Sequence, residues 1–174
     1  KWDLNDLYAS LDDPKIVQDL DQTAIGAKTF ATDYQGKLSA LDGVGLGQAI
    51  MRYEDLSEVL SRVMSYAQLL FAAAAENSEV AAFYQNMSER ATEISSDTLF
   101  FELEINRIED EKLETQLKDP AAAKFAPWIE GVRIYKPYQL ADDLEKLLHE
   151  KSVTGRASWS RLFDETMAGL RFDV

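Results

Sequence analysis

The chain has no cysteine, one histidine, four prolines and eight glycines in 174 residues. Without cysteine there is no disulfide framework and no thiolate metal site, which fits a reducing cytoplasm. So few prolines and glycines argue against a β-sandwich with its many tight turns. No apolar run approaches the roughly 20 residues needed to span a bilayer, and no signal-peptide pattern opens the sequence. Basic residues are scarce as well: 18 Lys and Arg against 31 Asp and Glu give a net charge of −13. That balance repels phosphate backbones and anionic lipid, so neither nucleic acid nor a membrane surface is an expected partner. The length suits one domain, or one lobe of something larger, with ample core.

What is present is helical periodicity. Leu56, Leu60, Val63, Ala67, Leu70 and Ala74 recur in alternating steps of four and three, which keeps them on one stripe of a helix. After Glu76-Asn77-Ser78 the pattern resumes at Val80, Phe83, Met87, Ala91, Ile94, Thr98, Phe101 and Ile105. Two long helices joined by a few residues form an antiparallel hairpin. The second, unbroken from Glu79 to Arg107, would be about 43 Å long. Its end, Leu99 to Ile105, is apolar on more than one face, so elements are expected against both sides.

Around this spine the remaining segments are shorter. Trp2-Asp3-Leu4-Asn5-Asp6-Leu7-Tyr8 reads as an arm or single turn that docks on the core. Asp13-Pro14 starts a first helix, the carboxylate at N-cap and proline at the first position. Its stripe is Ile16, Leu20, Ala24, Ala27, Ala31, Tyr34 and Leu38, and Gly36 loosens or ends it. Gly43-Val44-Gly45-Leu46-Gly47 has neither a strand before it nor the spacing of a phosphate loop; it reads as a flexible connection into a second helix beginning near Gln48. Beyond Arg107, short helices are expected to Lys118, over Ala121 to Phe125 behind a second cap-plus-proline pair at Asp119-Pro120, and from Pro127 to about Lys136-Pro137. A further helix runs from about Ala141 to Lys151. The last, from about Arg156 to Gly169, buries Trp159, Leu162, Phe163, Thr166 and Leu170. The chain opens at Lys1 with no initiator Met, and Leu170 to Val174 alternates with period two like the start of a strand. An excised segment is the simplest expectation. The fold class is therefore all-α: an antiparallel long-helix hairpin plus several shorter helices, with a strand stub at the C-terminus.

Residues able to carry chemistry are few. His149 is the lone histidine, whereas an H-E-x-x-H zinc helix needs two and a di-iron bundle needs Glu-x-x-His twice. It is expected to lie at the surface or against a partner. The carboxylate pairs Asp12/Asp13, Glu54/Glu58, Glu89/Glu93, Glu102/Glu104 and Asp142/Asp143 fall on expected outward faces or at helix starts. Nothing singles out a serine for a triad with His149, and Met64, Met87 and Met167 read as core filler. No catalytic, cofactor-binding or metal-ligating residue is expected within the chain.

The passage Glu150-Lys151-Ser152-Val153-Thr154-Gly155-Arg156-Ala157-Ser158-Trp159-Ser160-Arg161-Leu162-Phe163-Asp164-Glu165 resembles the E-K-S-V-T-G-R-x-x-W-x-R-L-F-D-E run of the oligoendopeptidase F family of zinc metallopeptidases. Trp2 to Tyr8, Ser65-Tyr66-Ala67-Gln68-Leu69 and Thr98-Leu99-Phe100-Phe101-Glu102-Leu103-Glu104 agree in order and spacing. Two positions depart: Tyr138 stands where relatives carry His, and Ala141 replaces a Ser that would cap the following helix.

The resemblance implies a cytosolic, mostly helical parent that hydrolyses oligopeptides, with zinc held by an H-E-x-x-H helix and a further Glu beyond Val174. Residues 1–174 would be its non-catalytic N-terminal lobe, one wall of a deep channel. Within it, 1–107 would be the arm, first helix and hairpin, and 108–174 the shorter helices leading into the catalytic domain. That catalytic domain is the implied partner, oligopeptides the implied substrates. The face it covers should be an apolar patch to which the last helix and the ends of the spine contribute, and a dimer of the isolated segment could form through it. The competing reading is a stand-alone all-α interaction module without enzymatic activity, motivated by the spine and by Trp2, Trp128 and Tyr138.

Overall fold

The computed structural model describes residues 3–170, and within them every regular element is helical. Asp13 caps α1 (Pro14–Tyr34), its carboxylate accepting from Lys15 N–H at 2.9 Å with Pro14 at the first position. Tyr34 ends the helix, and Gly36 takes the left-handed φ of 77° that glycine tolerates best. Leu38, expected on the α1 stripe, lies instead in a following 3₁₀ turn, Leu38–Ala40, where it is fully buried.

α2 (Gly43–Ala73) starts five residues before the expected Gln48, so the glycine run is helix and not a flexible connection. The cause is tertiary. A Cβ on Gly43 would stand 2.3 Å from Asp119 Cβ and 2.4 Å from Gln116 carbonyl O, and one on Gly47 would stand 2.4 Å from Ala121 carbonyl O. These glycines let the first turns of α2 press against the backbone of α5 (Asp110–Gln116) and α6 (Pro120–Ala123). Asp42 supplies the cap that the glycines cannot, accepting from Gly45 N–H at 2.7 Å.

α3 (Ser78–Ser96) follows α2 after four residues and packs on it, with Phe71 stacked on Tyr84 at 5.0 Å and Tyr66 edge-on to Phe83 at 6.1 Å. The single helix expected from Glu79 to Arg107 is not formed. It breaks at Asp97–Leu99 and resumes as α4 (Phe100–Arg107). Hydroxyls explain the break: Ser95 and Ser96 donate to Thr92 carbonyl O, and Thr98 donates to Ser95 carbonyl O. Such back-bonding competes with the helical ladder and bends or ends it. The turn lets α4 bury Phe100, Phe101, Leu103 and Ile105, with Tyr53 and Trp128 rings on Phe101 at 4.8 and 6.2 Å. Elements thus do pack on more than one side of this segment.

Two adjoining cores result. One gathers Tyr8, Leu20, Val63, Tyr66 and Met87 between the N-terminal turn, α1, α2 and α3. The other gathers Phe30, Leu46, Ile50, Phe101, Ile105 and Ile129 between α1, α2, α4 and α7 (Ala126–Arg133). The N-terminal residues do dock: Tyr8 is buried and its hydroxyl donates to Asp19 at 2.8 Å. Burial and that carboxylate push the Tyr8 hydroxyl pKa upward. Trp2 lies outside the described residues, as do residues 171–174, onto which the expected strand stub falls. Among the described residues there is no strand.

Glycine substitutions separate packing from propensity. Gly43→Ala should destabilise by about 1–3 kcal/mol through forced displacement of Asp119 and the Gln116 backbone. Gly131→Ala, where the added Cβ meets nothing within 4 Å, should stabilise α7 by about 0.5–1 kcal/mol. Urea midpoints moving in opposite directions are the expected result.

Candidate functional site

The last two helices, α8 (Asp142–Lys151) and α9 (Arg156–Gly169), bury none of their residues; Val153, in the turn between them, is buried. Leu144, Leu147 and Leu148 on α8 face solvent, as do Leu162 and Met167 on α9, with Trp159 72% and Phe163 63% exposed. The expectation that α9 buries Trp159, Leu162, Phe163, Thr166 and Leu170 is overturned, and Met167 is not core filler. Helical periodicity reports an apolar stripe without reporting what covers it. Met64 and Met87 do lie in or against the core.

The side of α8 and α9 turned to the body is polar. Arg107 grips both carboxylate oxygens of Asp142, and Gln139 Nε2 donates to Leu103 carbonyl O at 3.2 Å. His149 Nε2 lies 2.9 Å from Ser95 Oγ, and Arg161 donates to Gln85 Oε1. His149 is therefore half-buried on α3 and not a free surface histidine. The structure brings a serine to it, but no carboxylate hydrogen-bonds the ring among the described residues. A base without an orienting partner does not make a nucleophilic triad.

Beneath α8 runs a trench in three adjoining stretches that share lining residues. The first, about 510 Å³, is bounded by Lys28, Glu89, Glu93, Asp97, Lys146 and Glu150. A second of about 170 Å³ continues past Ser96, Asp97, Phe100 and Lys146. The third, about 450 Å³, lies among Gln35, Glu104, Arg107 and Asp142. Its lining mixes both signs with carboxylates in excess. Among the described residues no group of three or more His, Asp or Glu is arranged to hold a metal ion.

The other expected carboxylates divide. Asp12, Glu54, Glu58, Glu89, Glu93 and Asp143 are exposed. Glu102 and Glu104 are partly buried: Glu102 accepts from the Tyr53 hydroxyl at 2.8 Å and Glu104 from Gly36 N–H at 2.6 Å, so both bind α4 to the body. Ala141 begins α8 without a side-chain cap, and Tyr138 is 77% exposed in a 3₁₀ turn, Lys136–Tyr138. Trp128 belongs to the core, 5.9 Å from the Tyr53 ring.

The point where the chain leaves the body is fixed by Arg133, the last residue of α7. Its Nη1 donates to the carbonyls of Ile105 at 2.7 Å and Ile108 at 3.0 Å, satisfying the end of α4. Asp110 pairs with Arg133 and with Lys136 at 3.4 Å. Lys136 first, then Arg133, hold the Asp110 carboxyl below the usual carboxylate range. A depressed folded-state pKa contributes stability above the unfolded value, near 3.8, that is lost as pH falls through the folded one. The urea midpoint should therefore fall below about pH 4, and Asp110→Asn should flatten that acid limb while lowering the midpoint at pH 7. An acid limb unchanged by the substitution would contradict this assignment.

No helix in the described residues is long and apolar enough to cross a membrane. Residues 104–172, from within α4 through α9, match a family model for the N-terminal region of peptidases, described as oligopeptidase F. No curated protein and no solved structure matches the chain. The resemblance read from Glu150 to Glu165 lies wholly inside the matched segment. The Trp2 to Tyr8 and Ser65 to Leu69 stretches lie before it, and Thr98 to Glu104 meets it at its first residue.

Proposed function

We propose, from the match of residues 104–172 to the oligopeptidase F N-terminal region, that the chain is the non-catalytic lobe of a zinc-dependent oligopeptidase of the cytoplasm. In this reading it forms a wall of the substrate channel. The observation that carries it is the coincidence of that match with the exposed apolar face of α8 and α9. Exposed Leu, Trp, Phe and Met side chains on the last two helices are what an interface with a catalytic domain requires. The domain that follows supplies the H-E-x-x-H helix, its zinc and the water that the motif Glu activates. The lobe supplies shape: rigid helices narrow the approach so that a short unfolded peptide enters and a folded protein does not. Its carboxylate excess favours cationic peptides by electrostatic focusing. Dimerisation of the isolated chain through the same face is a by-product of leaving it uncovered.

The test compares two proteins. The chain alone should leave a quenched fluorogenic peptide intact. The protein encoded by the reading frame continued past Val174 should carry H-E-x-x-H and cleave the peptide in a chelator-sensitive way. Chelator-sensitive turnover by the chain alone, or a continued frame without that motif, would overturn the reading. The second outcome would favour the stand-alone interaction module, whose partner would then occupy the α8–α9 face.

A further inference from the structure

We propose that α8 and α9 form a hinged strap that swings off the body as one unit, independently of global unfolding. Three observations meet in this pair of helices. First, the strap contributes almost no apolar burial to the body: Val153 is its one buried residue among those described, whereas each of α1 to α7 buries at least one. Second, its attachments are polar, namely the exposed pair Arg107 to Asp142 and the partly buried contacts His149 to Ser95 and Arg161 to Gln85, while Gln139, on the hinge side, donates to Leu103 carbonyl O. Arg107 and Asp142 are each about half exposed, so water replaces this contact at little cost. Third, α8 stands over open space, the trench described above, leaving room for the strap to close further as well as to lift.

The hinge is residues 134–141. It follows the Arg133 anchor, carries exposed Ile134, Tyr135, Tyr138 and Leu140, and holds only a 3₁₀ turn. Few buried apolar contacts mark a segment that opens below the global unfolding free energy. Because α8 carries exposed Leu144, Leu147 and Leu148 as well as the Asp142, Lys146 and Glu150 that line the trench, whatever seats on those leucines also fixes how wide the trench stands. The inference does not rest on the peptidase reading, since it concerns only contacts within this chain.

The absence of cysteine makes thiol labelling a clean test. Val153→Cys reports strap opening and Ala67→Cys, at a fully buried α2 position, reports global unfolding. Under native conditions Val153→Cys should label at least about tenfold faster than Ala67→Cys, with little dependence on low urea. Adding Arg107→Gln should raise the Val153→Cys rate several-fold and leave Ala67→Cys unchanged. Equal rates at the two sites would overturn the strap. So would labelling of Val153→Cys as fast as a free thiol, which would mean no closed state. Should either variant fold poorly, native-state hydrogen exchange of the unsubstituted chain measures the same opening. Peptides from 142–169 must then exchange by a lower-energy opening than peptides from α1 and α2, and exchange of both sets at one common free energy would overturn the strap.

Discussion

The ring of Phe30 is where the helices of this protein are tied together. It is fully buried, and Tyr34, Tyr53, Phe100 and Phe101 stand around it with centroids 5.0 to 6.2 Å away. Those partners come from α1, α2 and α4, so one side chain fixes the mutual position of three helices. Tilted and edge-on aromatic pairs add directional preference to the area they bury. Everything else in the body is arranged to let these rings meet. The break after α3 turns Phe100 and Phe101 inward, and Gly43 and Gly47 bring α5 and α6 onto α2. Arg133 then closes the end of α4 on which the rings sit.

The same logic explains why the C-terminal helices behave differently. The body buries apolar residues of every helix from α1 to α7, and Asp13, Asp42, Asn77 and Asp119 cap helix starts within it. The last two helices reverse this: polar groups turn toward the body and apolar groups away from it. An arrangement with its hydrophobic side outward is costly for a finished surface and ordinary for an interface before its partner arrives. That inversion falls within the segment matched to the oligopeptidase F N-terminal region, which links the physical feature to the proposed role.

Features written locally were legible in the sequence. Asp13-Pro14 and Asp119-Pro120 each place a carboxylate acceptor and a proline at a helix start, and both start helices as expected. The turn at Asn77 and the amphipathic stripe of α2 were readable for the same reason. Features decided by other parts of the chain were not. Glycines at 43 to 47 look like a loop until Ala121 and Asp119 are seen to fill the space their side chains would need. The hydroxyls that end α3 sit within an uninterrupted apolar period, which hid the break. Of the candidate site, the family-like passage from Glu150 to Glu165 could be read directly. The exposure of Trp159 and Phe163 could not, because a stripe looks alike whether it faces a core or a missing neighbour.

The uncovered apolar side chains of the last two helices are the feature on which the proposed role turns, and dye binding measures them most directly. The natively folded chain should enhance ANS fluorescence, as exposed apolar surface does. Leu147→Gln combined with Phe163→Gln should remove most of that signal while near-UV circular dichroism stays unchanged. A folded chain that leaves the dye dark, or a signal indifferent to the two substitutions, would contradict the existence of such a face.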